Sequence, residues 1–330
     1  MGKDDKDIKI SFKLRCQAWW NGYDIEDVKA RLLTQKNDDS QDKDKAKVTE
    51  EHAPAAEEKK EEGVSSLPWD KLRMEMTQLI WGDGYCGPGG KEHIEKMSKL
   101  LGLNSKMSAI VIGAGFGGPA RVLAEEFGVW ITGFELSKEL AEKGMQMSTD
   151  AGLASKAIIN HLDPALEQPF DRSYDRAFSK EALYLFPDKE KILKNTYDTL
   201  KEGGLFLITD YTLSNAEALE NPDVQKWLKQ EATQPYLATT AIMQDAIEKT
   251  GFSLRVNEDI SDEYVKLIEG SWSKAAGIAQ ELAKKGSEGT KAIQSLMAEA
   301  EFWALRAKLL KEGHIHVWRF LGYKQNSELQ

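Results

Sequence analysis

Val111-Ile112-Gly113-Ala114-Gly115-Phe116-Gly117-Gly118 is the stretch on which the fold turns. The apolar run Ala109–Ile112 leads into it, and a periodic segment carrying Ala120, Leu123, Ala124 and Phe127 leads out. That reads as strand, tight turn and helix. Glycines allow the turn and let backbone approach a ligand where a Cβ would clash. Gly113, Gly115 and Gly118 also satisfy the G-x-G-x-x-G spacing of a dinucleotide site. Glu135 ends the next predicted strand, Val129–Phe134, about 20 residues on, where an acid accepts hydrogen bonds from ribose hydroxyls. Taken alone, the loop leaves open a flavin or nicotinamide oxidoreductase and a non-catalytic nucleotide binder.

Outward from the loop the pattern alternates. Ile94, Met97, Leu100 and Leu101 share one face of a helix before the first strand. After it come a helix from Ser137, strands at 156–160 and 174–179, a helix at 187–201 stopped by Gly203-Gly204, and a strand at 205–211. Strands at 252–259 and 315–323 bracket a helical stretch, 261–312, broken near Gly286. This spacing predicts an α/β fold: a Rossmann-like, doubly wound, parallel sheet of seven strands, with a helical insertion capping the site between the last two. The main α/β domain is expected over 67–330. Ahead of it, residues 8–33 suggest a small element, so that 1–33 forms an N-terminal piece. Residues 34–66 are Lys, Glu, Asp, Gln and Ala with little to bury, which predicts a disordered charged linker.

Composition narrows the class. The chain is 41% hydrophobic and 30% charged, ordinary for a globular protein. A net charge of -10 repels phosphate backbones and argues against a nucleic-acid substrate. No apolar run approaches the roughly 20 residues needed to span a bilayer. The charged start, Met1-Gly2-Lys3-Asp4, offers no signal core, and two cysteines make no disulfide framework, so a cytoplasmic protein is expected. A homo-oligomer is left open. His161, His314 and His316 read as ordinary strand histidines without a third ligand, so no metal is expected.

Three features choose among nucleotides. A helix precedes the first strand, and ahead of it lies Trp81-Gly82-Asp83-Gly84-Tyr85-Cys86-Gly87-Pro88-Gly89-Gly90. Ser173–Phe178 forms a fourth strand after an acidic turn at Asp163. Leu200-Lys201-Glu202-Gly203-Gly204-Leu205 runs on through Ile208-Thr209-Asp210-Tyr211 as a helix–glycine–strand passage. In this order and spacing they resemble class I S-adenosylmethionine-dependent methyltransferases. From about Leu72 to Lys324 the chain is similar to phosphoethanolamine N-methyltransferases. The run at 81–90, the I-T-D-Y at 208–211 and the turn Asp259-Ile260-Ser261-Asp262 carry that resemblance.

The resemblance implies S-adenosylmethionine as cofactor. It would put Tyr85, Cys86 and Gly87 near the methionine end, with Gly113 and Gly115 beneath. Glu135 and Leu136 would meet ribose and adenine, Asp163 and Pro164 the adenine amine, and Ser179 and Lys180 the methyl donor. On the acceptor side it implies Glu181 and Tyr211 as catalytic groups, with Glu181 facing the acceptor nitrogen. The family's Tyr–His pair falls on Trp69 and Leu185. A phosphate-pocket tyrosine is kept as Tyr211, another falls on Trp227, and the phosphate arginine falls near Glu231, which would repel a phosphate. Trp69 and Trp81 are also candidates for an aromatic cage around a cationic nitrogen. Trp69, Trp81, Glu181, Leu185, Tyr211, Trp227 and Glu231 are therefore the expected acceptor-side residues. The expected reaction is methyl transfer to a small or amphipathic acceptor, nitrogen favoured, that starts without a proton to lose. A lipid C-methyl or cyclopropane-forming enzyme is the alternative on the same fold.

Overall fold

A computed structural model describes residues 66–326 apart from Asp171. The element expected over 1–33, and all but the last residue of the linker expected over 34–66, lie outside the described residues. The helices and strands that follow belong to one unit, Ser65–Gln330.

Two helices, α1 (Lys71–Trp81) and α2 (Gly90–Ser98), precede β1 (Ser108–Ile112). Asp70 caps α1 by accepting from the Arg73 N–H. The last turn after α2 tightens into a 3-10 segment, Lys99–Leu101. Ile94, Met97 and Leu101 stay buried as expected, but the tighter winding turns Leu100 out to solvent. The chain continues through α3 (Gly118–Glu126), β2 (Trp130–Glu135), α4 (Lys138–Asp150), β3 (Ala157–His161) and β4 (Tyr174–Lys180). Then come α5 (Lys189–Thr199), β5 (Leu200–Leu213), α6 (Pro222–Gln230), α7 (Thr240–Thr250) and β6 (Ser253–Asp259). Three helices, α8 (Ser261–Trp272), α9 (Ala275–Ala283) and α10 (Gly286–Lys311), precede β7 (Ile315–Tyr323).

The seven strands form one sheet in the order β3-β2-β1-β4-β5-β7-β6. β1 to β5 pair in parallel, whereas β7 runs antiparallel to both its neighbours, so the sheet is mixed where a fully parallel one was expected. The cause is the insertion. β6 ends at Asp259 and hands straight to α8, and β7 starts beside Leu213, at the end of β5. The three helices therefore begin and end at the carboxyl edge, and the returning strand must run the other way. The helical stretch breaks twice, after Trp272 and before Gly286, where one break near Gly286 was expected.

Gly203-Gly204 does not stop α5. The helix ends at Thr199, because Leu200 already pairs with Tyr174, and the register slips before Arg176 meets Leu205. Gly203, with φ +71°, sits in that irregularity and donates its N–H to the Lys324 carbonyl. Apolar side chains fill both faces of the sheet, Val111, Ile131 and Phe178 on one and Ile110, Phe206 and Phe320 on the other. Among the described residues no helix is long and apolar enough to cross a membrane.

Candidate active site

β1 lies between β2 and β4, so the strand order reverses there, and ligands of such sheets bind at the carboxyl ends beside this point. A cleft enclosing about 1050 Å³, its solvent mouth included, opens at that place. The glycine loop forms its floor. Gly113, Gly115 and Gly117 all have positive φ. A Cβ on Gly113 would lie 2.0 Å from the Ala182 Cβ, and one on Gly115 would lie 2.9 Å from the Cys86 Sγ. The loop is thus a bare-backbone cradle pressed between β4's exit and the 82–89 turn. Gly118 N–H donates to the Gly84 carbonyl at 2.9 Å, which docks that turn onto the start of α3. Glu135 closes one side. Its Oε2 accepts from Gly115 N–H at 2.7 Å and its Oε1 from Ser137 N–H at 2.9 Å. Burial raises its proton affinity above that of an ordinary glutamate. Burial also pushes the Cys86 thiol up to about 12, which makes it a space-filling group and not a nucleophile.

Glu181 is the one residue other than glycine, among those described, with positive φ, at 44°. It follows directly on β4, whose Lys180 is paired with Thr209 of β5. Glu181 Oε1 accepts from Thr209 Oγ1 at 2.6 Å, and Lys180 Nζ donates to Glu181 Oε2 at 2.5 Å. Lys180 Nζ also donates to Tyr264 Oη of α8 at 2.6 Å. Glu181 is therefore no helix-start acid; its carboxylate is held in the cleft by three elements.

Trp69, Tyr184, Leu185, Tyr211, Phe302 and Trp303 also wall the cleft. The hydroxyls of Tyr184 and Tyr211 are raised by burial, so both act as neutral phenols. Arg306 of α10 lies among Tyr211, Trp227, Phe302 and Trp303, with its guanidinium carbon 4.3–5.0 Å from the four ring centres. It pairs with Glu231, which also accepts from Tyr184 Oη at 3.0 Å and from Trp227 Nε1 at 2.9 Å. The expectation that Glu231 repels a phosphate is thereby corrected, because Arg306 neutralises it. Arg73 stacks 3.9 Å over Trp69 and pairs with Glu299.

The structure brings together Trp69, Tyr85, Cys86, Gly87, Gly113, Gly115, Glu135, Leu136, Lys180, Glu181, Leu185, Tyr211 and Glu231 around one cleft. It does not bring in five others expected there. Trp81 stands behind the wall, 4.5 Å from Trp303 between ring centres, and Trp227 stands behind Tyr211 at 5.5 Å. Both are large apolar rings that the core claims first. Asp163 and Pro164 line a neighbouring hollow with Leu162, Leu166 and Phe186. Ser179 is fully buried beneath the floor with no partner for its hydroxyl. Sequence reading missed Arg73, Tyr184 and Arg306. A signal was present for the last: Glu299, Trp303 and Arg306 recur at helical spacing, which sets charge on an apolar face. His316 is tied to Asp259 and His314 to Asn221, and no group of three metal-ligating side chains occurs among the described residues.

The profile of the mycolic acid cyclopropane synthetase family matches residues 90–306. The chain belongs to that family. The matched region is a class I methyltransferase domain whose cofactor is S-adenosylmethionine. A curated relative, phosphoethanolamine N-methyltransferase 2 of Caenorhabditis elegans, is 28% identical over 192 residues, 58% of this chain and 43% of its own length. The chain thus spans less than half of that relative. Among solved structures, the methyltransferase domain superposes on Haemonchus contortus phosphoethanolamine N-methyltransferase 2 bound to S-adenosylmethionine. The TM-score is 0.64 at 21% identity, covering 77% of this chain and 57% of that one. A mycolic acid cyclopropane synthase complexed with S-adenosylhomocysteine gives 0.62 at 17% identity, covering 77% and 95%. At these identities the likeness is one of fold.

Proposed function

We propose that this protein transfers a methyl group from S-adenosylmethionine to the nitrogen of a small or amphipathic acceptor with an apolar portion. One observation carries the reading: each cation that lines the cleft already has an anion. Lys180 holds Glu181, Arg306 holds Glu231, and Arg73 holds Glu299. A phosphate placed among aromatic walls would find no unpaired positive charge to offset its desolvation. The acceptor that fits carries no phosphate and is neutral at its reacting nitrogen.

Bound S-adenosylmethionine supplies an electrophilic methyl group. The chain's part is positional. Gly113 and Gly115 give the close backbone approach, Glu135 accepts from the ribose hydroxyls, and Tyr85, Cys86 and Gly87 close the methionine end. Trp69, Leu185 and Tyr184 form the wall that orients the acceptor and keeps water out, so that nucleophile and methyl meet in line. Trp69 and Leu185 cannot remove a proton, and the buried phenols of Tyr184 and Tyr211 stay protonated. An acceptor such as a tertiary amine, which as a free base has no proton to lose, suits these walls.

The test is a screen of polar and lipid extracts with isotopically labelled S-adenosylmethionine, read by mass spectrometry. Labelled product on an amine with an apolar portion is expected, with phosphoethanolamine turned over poorly even at high concentration. Efficient methylation of phosphoethanolamine would overturn the reading. A second reading, carbon methylation or cyclopropane formation on a lipid, is favoured by the family match and the aromatic walls. Label appearing in an acyl chain would decide for it.

A further inference from the structure

Among the described residues seven large apolar side chains stand exposed, and three of them, Leu219, Tyr236 and Ile242, gather round one groove with Leu228. The groove encloses about 1180 Å³, its solvent mouth included, and shares no lining residue with the cleft. Its apolar walls come from separate elements. Leu219 lies on the 3-10 turn Glu217–Glu220, Leu228 on α6, Tyr236 on the loop that follows, and Ile242 on α7. Two lysines and no carboxylate line the groove, in a chain whose net charge is -10. The ammonium of Lys189 has three donors; the carbonyls of Phe186 and Tyr236 take two, each at 2.6 Å. Burial drives this ammonium down and the nearby Asp210 carboxyl up, each to about 8. At pH 7 the lysine is therefore mostly charged and the carboxyl mostly protonated. Lys229 is exposed on the last turn of α6.

We propose that this groove binds a single long-chain fatty carboxylate, its tail against Leu219, Leu228, Tyr236 and Ile242 and its head at Lys189 and Lys229. Apolar walls with a few convergent cationic groups match that chemistry. A concave wall suits one chain and not a membrane surface. The groove adjoins the cleft through one loop: Glu231, Ala232 and Thr233 line the cleft, and the next five residues line the groove. Tyr236 N–H also donates to the carbonyl of Tyr184, a residue of the cleft wall, at 2.6 Å. The inference does not depend on what the cleft methylates.

Calorimetric titration of the full chain with dodecanoate, below its micelle concentration, tests it. One saturable site is expected. Dodecyltrimethylammonium, with the same tail and the opposite head, should bind at least about tenfold more weakly. Ile242→Asp sets a charge against the tail and should weaken dodecanoate by at least about tenfold. Lys229→Glu should weaken it by about threefold or more. Both positions are exposed, so both variants should keep wild-type affinity for S-adenosylhomocysteine. Trp69→Ala, in the cleft, should leave dodecanoate binding as it is. The head-group comparison uses the unaltered protein and stands even if a variant melts early. No saturable binding, equal affinity for the two head groups, or an unchanged dodecanoate Kd in both groove variants overturns the proposal. So does loss of binding in Trp69→Ala, or binding to vesicles of anionic phospholipid alone.

Discussion

Glu135 shows how one side chain can both shape a loop and line a cleft. A carboxylate has about four lone-pair positions, and Gly115 and Ser137 take two of them. Glu135 also lines the cleft. Glu135→Ala should cost S-adenosylmethionine binding roughly 2–4 kcal/mol by calorimetry. It should also lower Tm, because two backbone N–H groups lose their acceptor. Burial raises its proton affinity, so the accepting carboxylate is complete only above that raised value and is lost as pH falls through it. Cofactor affinity should therefore weaken on acidification earlier than an ordinary glutamate would dictate, and Glu135→Gln should show no such dependence. Residues of this kind are legible in sequence because their distance from the glycine loop is set by one strand and one helix. Arg306 and Arg73 are not: their partners lie 75 and 226 residues away, and only the folded chain pairs them.

At the scale of elements, order and type could be read because each segment carries its own period, two in strands and 3.6 in helices. The first strands and the glycine turn fall where expected. What escaped reading depended on a neighbour. The slip at Gly203-Gly204 exists because Leu200 pairs early with Tyr174, and the reversed direction of β7 exists because three helices stay at one edge of the sheet. The loop and β4 are likewise one packed object. Gly113→Ala would set a Cβ 2.0 Å from the Ala182 Cβ at a φ of +75°. The combined overpacking and left-handed backbone should cost roughly 2–5 kcal/mol. Chemical denaturation should show that loss, and cofactor binding should fall with it. A wild-type midpoint would mean that β4's exit yields more easily than its contacts indicate.

Across the whole molecule, Arg73 joins the first described helix to the last. It lies on α1, pairs with Glu299 of α10 and stacks on Trp69, with both charged side chains almost wholly buried. Arg73→Met strands the Glu299 carboxylate and should cost roughly 3–5 kcal/mol, whereas Arg73→Met with Glu299→Gln should recover much of it. Urea midpoints at low and high salt would check both, since so buried a pair is little screened. The position of β7 bears on how the protein is made. Among the described residues β6 has no partner but β7, and the edge of β5 from Leu205 to Leu213 has none until β7 arrives. From Asp259 the ribosome adds 55 residues before Ile315, which takes about 3–11 s at roughly 5–20 residues per second. For that interval a nascent chain can close β3-β2-β1-β4-β5 and display an open, apolar sheet edge to its neighbours on the same message. Crowded translation, more than any weakness of the finished fold, is where this architecture is most exposed to mispairing.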